Sequence, residues 1–164
     1  MSYNLDIMKL RDNTSVTFPV ALDDAPQEWA AVPWLELRAF LKERGARVDS
    51  DEHHLLLYFE SCGSLEICGV RDPSGESEDF VLISFDVHTY WTHVLEIYKK
   101  ALEFDSTLVL FDPQQETYHN ASTFESLAII HRESQMNKDD VEQVVPPNGP
   151  KPSNLIQFPI QSLP

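Results

Sequence analysis

Polar and apolar positions alternate at the start of the chain. In YNLDIMKL (3–10) Leu5 and Ile7 fall on one side, with Met8 or Leu10 as further inward positions. That period of two predicts a strand. Residues 11–31 hold no steady period and are broken by Pro19 and Pro26; a short strand near Val16–Val20 is the one element expected there. The spacing then turns helical at Trp34, Leu37, Phe40 and Leu41. Pro33 suits a first turn and Gly45 the residue just past the end. Lys42, Arg44 and Arg47 gather where cations complement a helix dipole.

Three apolar runs follow: HLLLYFE (54–60), LEICGVR (65–71) and FVLISF (80–85). Gly63-Ser64 predicts the first intervening turn and Asp72-Pro73-Ser74-Gly75 the second, so the three read as a meander. Strand alternation puts Leu55, Leu57 and Phe59 on one face and Leu56, Tyr58 and Glu60 on the other. Leu65 and Ile67 share a face opposite Glu66 and Cys68. If the acidic positions coincide across the pair, one sheet face is partly polar and carries Tyr58, Glu60 and Glu66.

A second helix is expected from Thr89 to Phe104, where Trp91, Val94, Leu95, Tyr98, Ala101 and Leu102 make an apolar stripe. Thr89 or Asp86 is its expected cap. Thr107–Phe111 reads as a buried strand, Asp112–Gln115 as a turn and Glu116–His119 as a short strand. Ser122-Thr123-Phe124-Glu125 has the form of a capping box and predicts a third helix over Thr123–Gln135, with a strand over Leu127–His131 as the alternative. Six of the eleven prolines fall in the last nineteen residues. Residues 1–136 therefore read as a single domain and 137–164 as a Pro-rich C-terminal tail, extended or disordered. Leu155, Ile156, Phe158 and Ile160 are the positions that would dock it. The sum is an α+β fold of order about β-α-β-β-β-α-β-β. Its sheet is largely antiparallel, with two or three helices packed on one face.

Composition sharpens this. A chain of 164 residues, 42% of them hydrophobic, is long enough to bury a core without disulfides or metal. Its opening lacks the basic and apolar blocks of a leader, and no run approaches the ~20 apolar residues of a bilayer span. A cytoplasmic location is expected, with no membrane partner. Cys62 and Cys68 are spaced C-x5-C, which matches no common zinc motif. Thiols on neighbouring strands would pair only in an oxidising compartment, so reduced, structural cysteines are expected.

Charge changes the picture most. The formal net charge is -15. Residues 49–87 carry ten acids and one base, Arg71, and hold nine of those net negative charges; residues 1–48 hold seven acids and six bases. An acidic surface keeps a protein soluble. Concentrated in one region, it also complements a basic partner and steers association. Nucleic acid is excluded as a partner, because phosphate binding needs a basic footprint. The candidate partner-binding residues are Asp49, Asp51, Glu52, Tyr58, Glu60, Glu66, Asp72, Glu76, Glu78 and Asp79.

Catalytic signatures are sparse. The five glycines form no phosphate loop, and neither G-x-S-x-G nor H-E-x-x-H occurs. His53 and His54 are strand neighbours that point to opposite faces, so they do not share a metal easily. His88 and His93, with Asp86, straddle the start of the second helix at a spacing of five, which is not the i, i+4 ligand geometry. His119 and His131 stand alone. No metal and no cofactor is expected, and no enzymatic activity. A Cys62–His nucleophile pair depends on the fold, and the acids around Cys62 argue against thiolate formation. Trp34 and Trp91 read as core, and Trp29 as core or as an interface anchor.

The order of elements, with MSYNLDIM at 1–8 and the stretch from Tyr90 to Tyr118, above all LVLFDPQQETY, resembles the small acidic immunity proteins of bacterial polymorphic toxin systems, of the contact-dependent or type VI secretion kind. The likeness spans about residues 1–120 and is architectural. It implies a cytoplasmic inhibitor that binds one cognate toxin domain, with a basic surface expected on that partner, and it carries over no binding residues. The alternatives are another cytoplasmic protein-binding or regulatory module, and a small metal- or ligand-binding enzyme built on His88, His93 and Asp86.

Overall fold

The computed structural model describes residues 3–10, 16–25, 30–43, 52–59 and 62–142. In chain order the elements are β1 (Tyr3–Lys9), β2 (Val20–Ala21), a 3-10 turn (Leu22–Asp24), α1 (Trp34–Glu43), β3 (His54–Phe59), β4 (Gly63–Arg71), β5 (Phe80–His88), α2 (Trp91–Phe104), β6 (Leu108–Asp112), β7 (Thr117–His119) and α3 (Ala121–Glu142). The seven strands form one antiparallel sheet in the order β2-β7-β6-β1-β5-β4-β3. The fold is α+β, and the helices pack on one face of the sheet.

The main core lies between that face and the helices. Leu5 and Ile7 of β1 meet Leu55 and Leu57, Leu65 and Ile67, Ile83 and Phe85, and Leu108 and Leu110 from the other strands. Trp34, Leu37 and Leu41 of α1, Trp91, Val94, Leu95 and Tyr98 of α2, and Phe124 and Ala128 of α3 close it. Each fully buried Leu, Ile or Phe contributes about 1.5–3 kcal/mol from leaving water. Tyr98 reaches through this layer, and its hydroxyl donates to the Leu108 carbonyl at 3.0 Å.

The opposite, outer face is divided. Met8, Leu10, Val109 and Tyr118 form a second apolar cluster with Ala25, against which Phe18, Val20 and Leu22 pack. Over β5, β4 and β3 the same face carries Ser84 and Asp86, Ser64, Glu66 and Cys68, and His54 and Tyr58, with Leu82, Val70 and Leu56 among them. Alternation along β1 is thus two-sided: Leu5 and Ile7 enter the helix side, while Met8 and Leu10 enter the second cluster.

Several expectations shift. The strand expected near Val16–Val20 is confined to Val20–Ala21. The first meander turn lies before Gly63, since Gly63 and Ser64 already pair with Phe59 and Tyr58. Gly63 has φ +102°, and an added Cβ there would sit 1.8 Å from the His88 carbonyl oxygen, so no other residue fits. Neither Thr89 nor Asp86 caps α2: Tyr90 is its N-cap and makes no side-chain cap bond. The capping box of α3 is Asn120 with Thr123. Asn120 Oδ1 accepts from the Thr123 amide at 2.9 Å, and Thr123 Oγ1 accepts from the Asn120 amide at 3.1 Å. The helix starts earlier than Thr123 and continues to Glu142. Gly45, Arg44, Arg47, Trp29 and the tail from residue 143 lie outside the described residues.

Candidate functional site

Two regions gather polar chemistry. The first is the end of the sheet where β3 begins and β4 turns into β5. Asp72 organises that turn: its Oδ1 accepts from the Ser74 amide at 2.9 Å and the Ser74 hydroxyl at 2.7 Å. These bonds hold the Asp72 carboxyl below its usual range. Glu76, Glu78 and Asp79 follow, all exposed. Arg71 is the base that precedes this turn. It pairs with Glu52 at 2.9 Å, donates to the Glu78 carbonyl and lies 4.6 Å over the Phe80 ring. Glu52 in turn supplies the carbonyl that accepts from Trp34 Nε1 at 2.9 Å, so this end is tied to the core.

The structure therefore brings together Glu52, Asp72, Glu76, Glu78 and Asp79. It places Tyr58 and Glu66 elsewhere. Both lie on the outer face, Tyr58 opposite Ser64 and Glu66 opposite Leu56 and Asp86. Glu66 Oε1 is 2.7 Å from His54 Nε2. Asp49, Asp51 and Glu60, the remaining candidates, lie outside the described residues.

The second region is a cavity of about 470 Å³ beside the start of α2. Tyr3, Cys62, His88, Thr89, Trp91 and His131 are among its lining residues. Cys62 Sγ is 3.6 Å from His93 Nε2. His93 stacks on Phe59 with ring centroids 3.7 Å apart. Burial, reinforced by the Arg132 charge, pushes the His93 pKa down to about 4, so its imidazole is neutral at physiological pH. His131 stacks on Trp91 at 4.5 Å, and burial likewise lowers its pKa. Thr89 Oγ1 and His131 Nδ1 are buried with no hydrogen-bond partner among the described residues. The Tyr3 hydroxyl donates to Asp112 at 2.8 Å, and burial together with that bond pushes the phenol's pKa up.

The trio His88, His93 and Asp86 does not assemble. His88 Nε2 is 3.3 Å from Asp86 Oδ1, whereas His93 turns to Cys62 and Phe59. Sequence reasoning named Cys62 without its partner; the signal was there only as a cysteine beside a predicted turn. Cys62 and Cys68 are not joined in a disulfide. They stand at the base and in the middle of one extended strand, roughly 20 Å apart at 3.3 Å per residue, far beyond the reach of a disulfide.

No helix among the described residues is long and apolar enough to cross a membrane. Comparison with family models, characterised proteins and solved structures finds no match to this chain.

Proposed function

We propose that this protein is a stoichiometric binding module whose acidic sheet end engages a basic protein surface. The carrying observation is that Asp72, Glu76, Glu78 and Asp79 share the β4–β5 turn, which Arg71 ties to Glu52 by pairing with its carboxylate and donating to the Glu78 carbonyl. Exposed groups of one sign speed encounter and select against wrong partners more than they add affinity. The ordered turn at Asp72 presents them with little entropy left to lose. Inhibition of a bacterial toxin domain in the cytoplasm is the form of this function that the sequence resemblance suggests. The test is co-purification with the product of the neighbouring gene at low and high salt, and with Glu76, Glu78 and Asp79 reversed to Lys. Binding is expected to weaken with salt and to fall in the reversed variant. Binding indifferent to both would eliminate the charge mechanism.

A further inference from the structure

The polar half of the outer face holds a third group. His54 is the register partner of Cys68, and Glu66 lies one pleat along the same face of β4. One ligand atom from each, the imidazole nitrogen, the carboxylate oxygen and the thiol sulfur, lies within 4.8 Å of the others. All three residues are partly buried and so remain in reach of solvent.

We propose that His54, Glu66 and Cys68 bind one transition-metal ion of the zinc class, with a solvent molecule completing the coordination. Three observations carry this. The donors are nitrogen, oxygen and sulfur, the mixed set that zinc accepts and that hard ions such as magnesium do not. They come from paired strands whose ladder runs from His54 to Phe59, so the backbone already holds them in place. The surroundings favour a cation: Asp86 and Ser84 are the register partners of Glu66 and Cys68 on β5, so a second carboxylate, 3.3 Å from His88 Nε2, stands beside the site.

The required movement is small. Tetrahedral zinc holds neighbouring donors roughly 3.3–3.7 Å apart. His54 Nε2 and Glu66 Oε1 stand 2.7 Å apart, so they exchange their mutual contact for the ion by parting less than about 1 Å. Cys68 gives up its thiol proton to solvent as the metal–sulfur bond forms, and no redox change occurs. Sequence spacing hides this site, because His54 and Cys68 meet only through the β3–β4 register. It lies on the outer face next to the Arg71 end, and none of its three donors is among the five acids of the proposed function.

The experiment titrates the reduced full-length protein with cobalt(II) alone. A thiolate-to-cobalt charge-transfer band with intense visible bands is expected, saturating at one equivalent and erased by zinc(II). Cys68→Ser is expected to abolish the charge-transfer band, and Cys62→Ser to leave it. His54→Gln and Glu66→Gln are expected to weaken cobalt binding about tenfold or more. Zinc(II) added to isotope-labelled wild-type protein is expected to shift the amide resonances of His54, Glu66 and Cys68, a readout that needs no variant to fold. Absence of a thiolate band in the wild type overturns the proposal. So does a band that survives Cys68→Ser and vanishes in Cys62→Ser, which would place the metal at the His93 pair.

Discussion

His93 shows how much one half-buried side chain sets. It faces Phe59 and Cys62, and burial with the Arg132 charge lowers its pKa to about 4. In an unfolded chain a histidine titrates near 6.5. Above that pH both states are neutral, and the stability tied to His93 is fully present. As the pH falls from 6.5 toward 4 the unfolded chain takes up a proton that the native state refuses, so stability declines; below about 4 the loss levels off. His119 and His131, lowered mainly by burial, act in the same direction. Asp6 and Glu96, raised by burial, act in the opposite one. The difference between wild type and His93→Phe isolates this residue. The variant's urea midpoint is expected to decline less between pH 6.5 and 4, and parallel declines would show that His93 is not buried neutral. None of this was readable from sequence, where His93 looked like a helix-start histidine near His88. Its neighbours come from β3 and the turn before β4.

At the scale of elements, the contact between β4 and α1 is a close constraint. Gly69 lies beneath Trp34, and a Cβ there would stand 2.6 Å from three atoms of the indole. Trp34 is fully buried and anchored through Nε1 to Glu52, so it has no free volume to retreat into. Gly69→Ala is expected to cost about 1–3 kcal/mol by overpacking. The measurement is the urea midpoint, which should fall at constant slope; an unchanged midpoint would mean that α1 shifts freely on the sheet. Elements of this kind were the legible part of the fold. The stripes of α1 and α2 and the alternation of β3, β4 and β5 follow from burial on one face, which the sequence writes directly. Caps and turn positions were less legible. The Asn120–Thr123 box competed with a similar Ser122–Glu125 pattern, and backbone geometry, not residue type, decided between them.

For the whole molecule, the question is how a linear excess of acid becomes a surface. Along the chain, residues 49–87 look like one acidic block. The sheet divides it: Glu52, Asp72, Glu76, Glu78 and Asp79 collect at the Arg71 end, while Glu66 and Asp86 go to the outer face. Exposed charges act over about 8–10 Å at moderate salt. The partner test therefore has an internal control. Reversing Glu103 and Glu125 on the helices also lowers the net negative charge, but it leaves the loop patch intact. That control is expected to bind like the wild type, and equal weakening would mean that total charge, not the patch, governs association.

The sequence by itself determined the α+β class, the meander, the two amphipathic helices and the excess of acid. Periodicity and composition are local properties that each segment carries alone. Only the tertiary structure decided which chemistry meets. It set Cys62 against His93, set His54 beside Glu66 and Cys68, and joined Glu52 through Arg71 to the acidic β4–β5 turn. Such groupings depend on strand register and on which helix covers which strand, and those are fixed by packing between residues far apart in the chain.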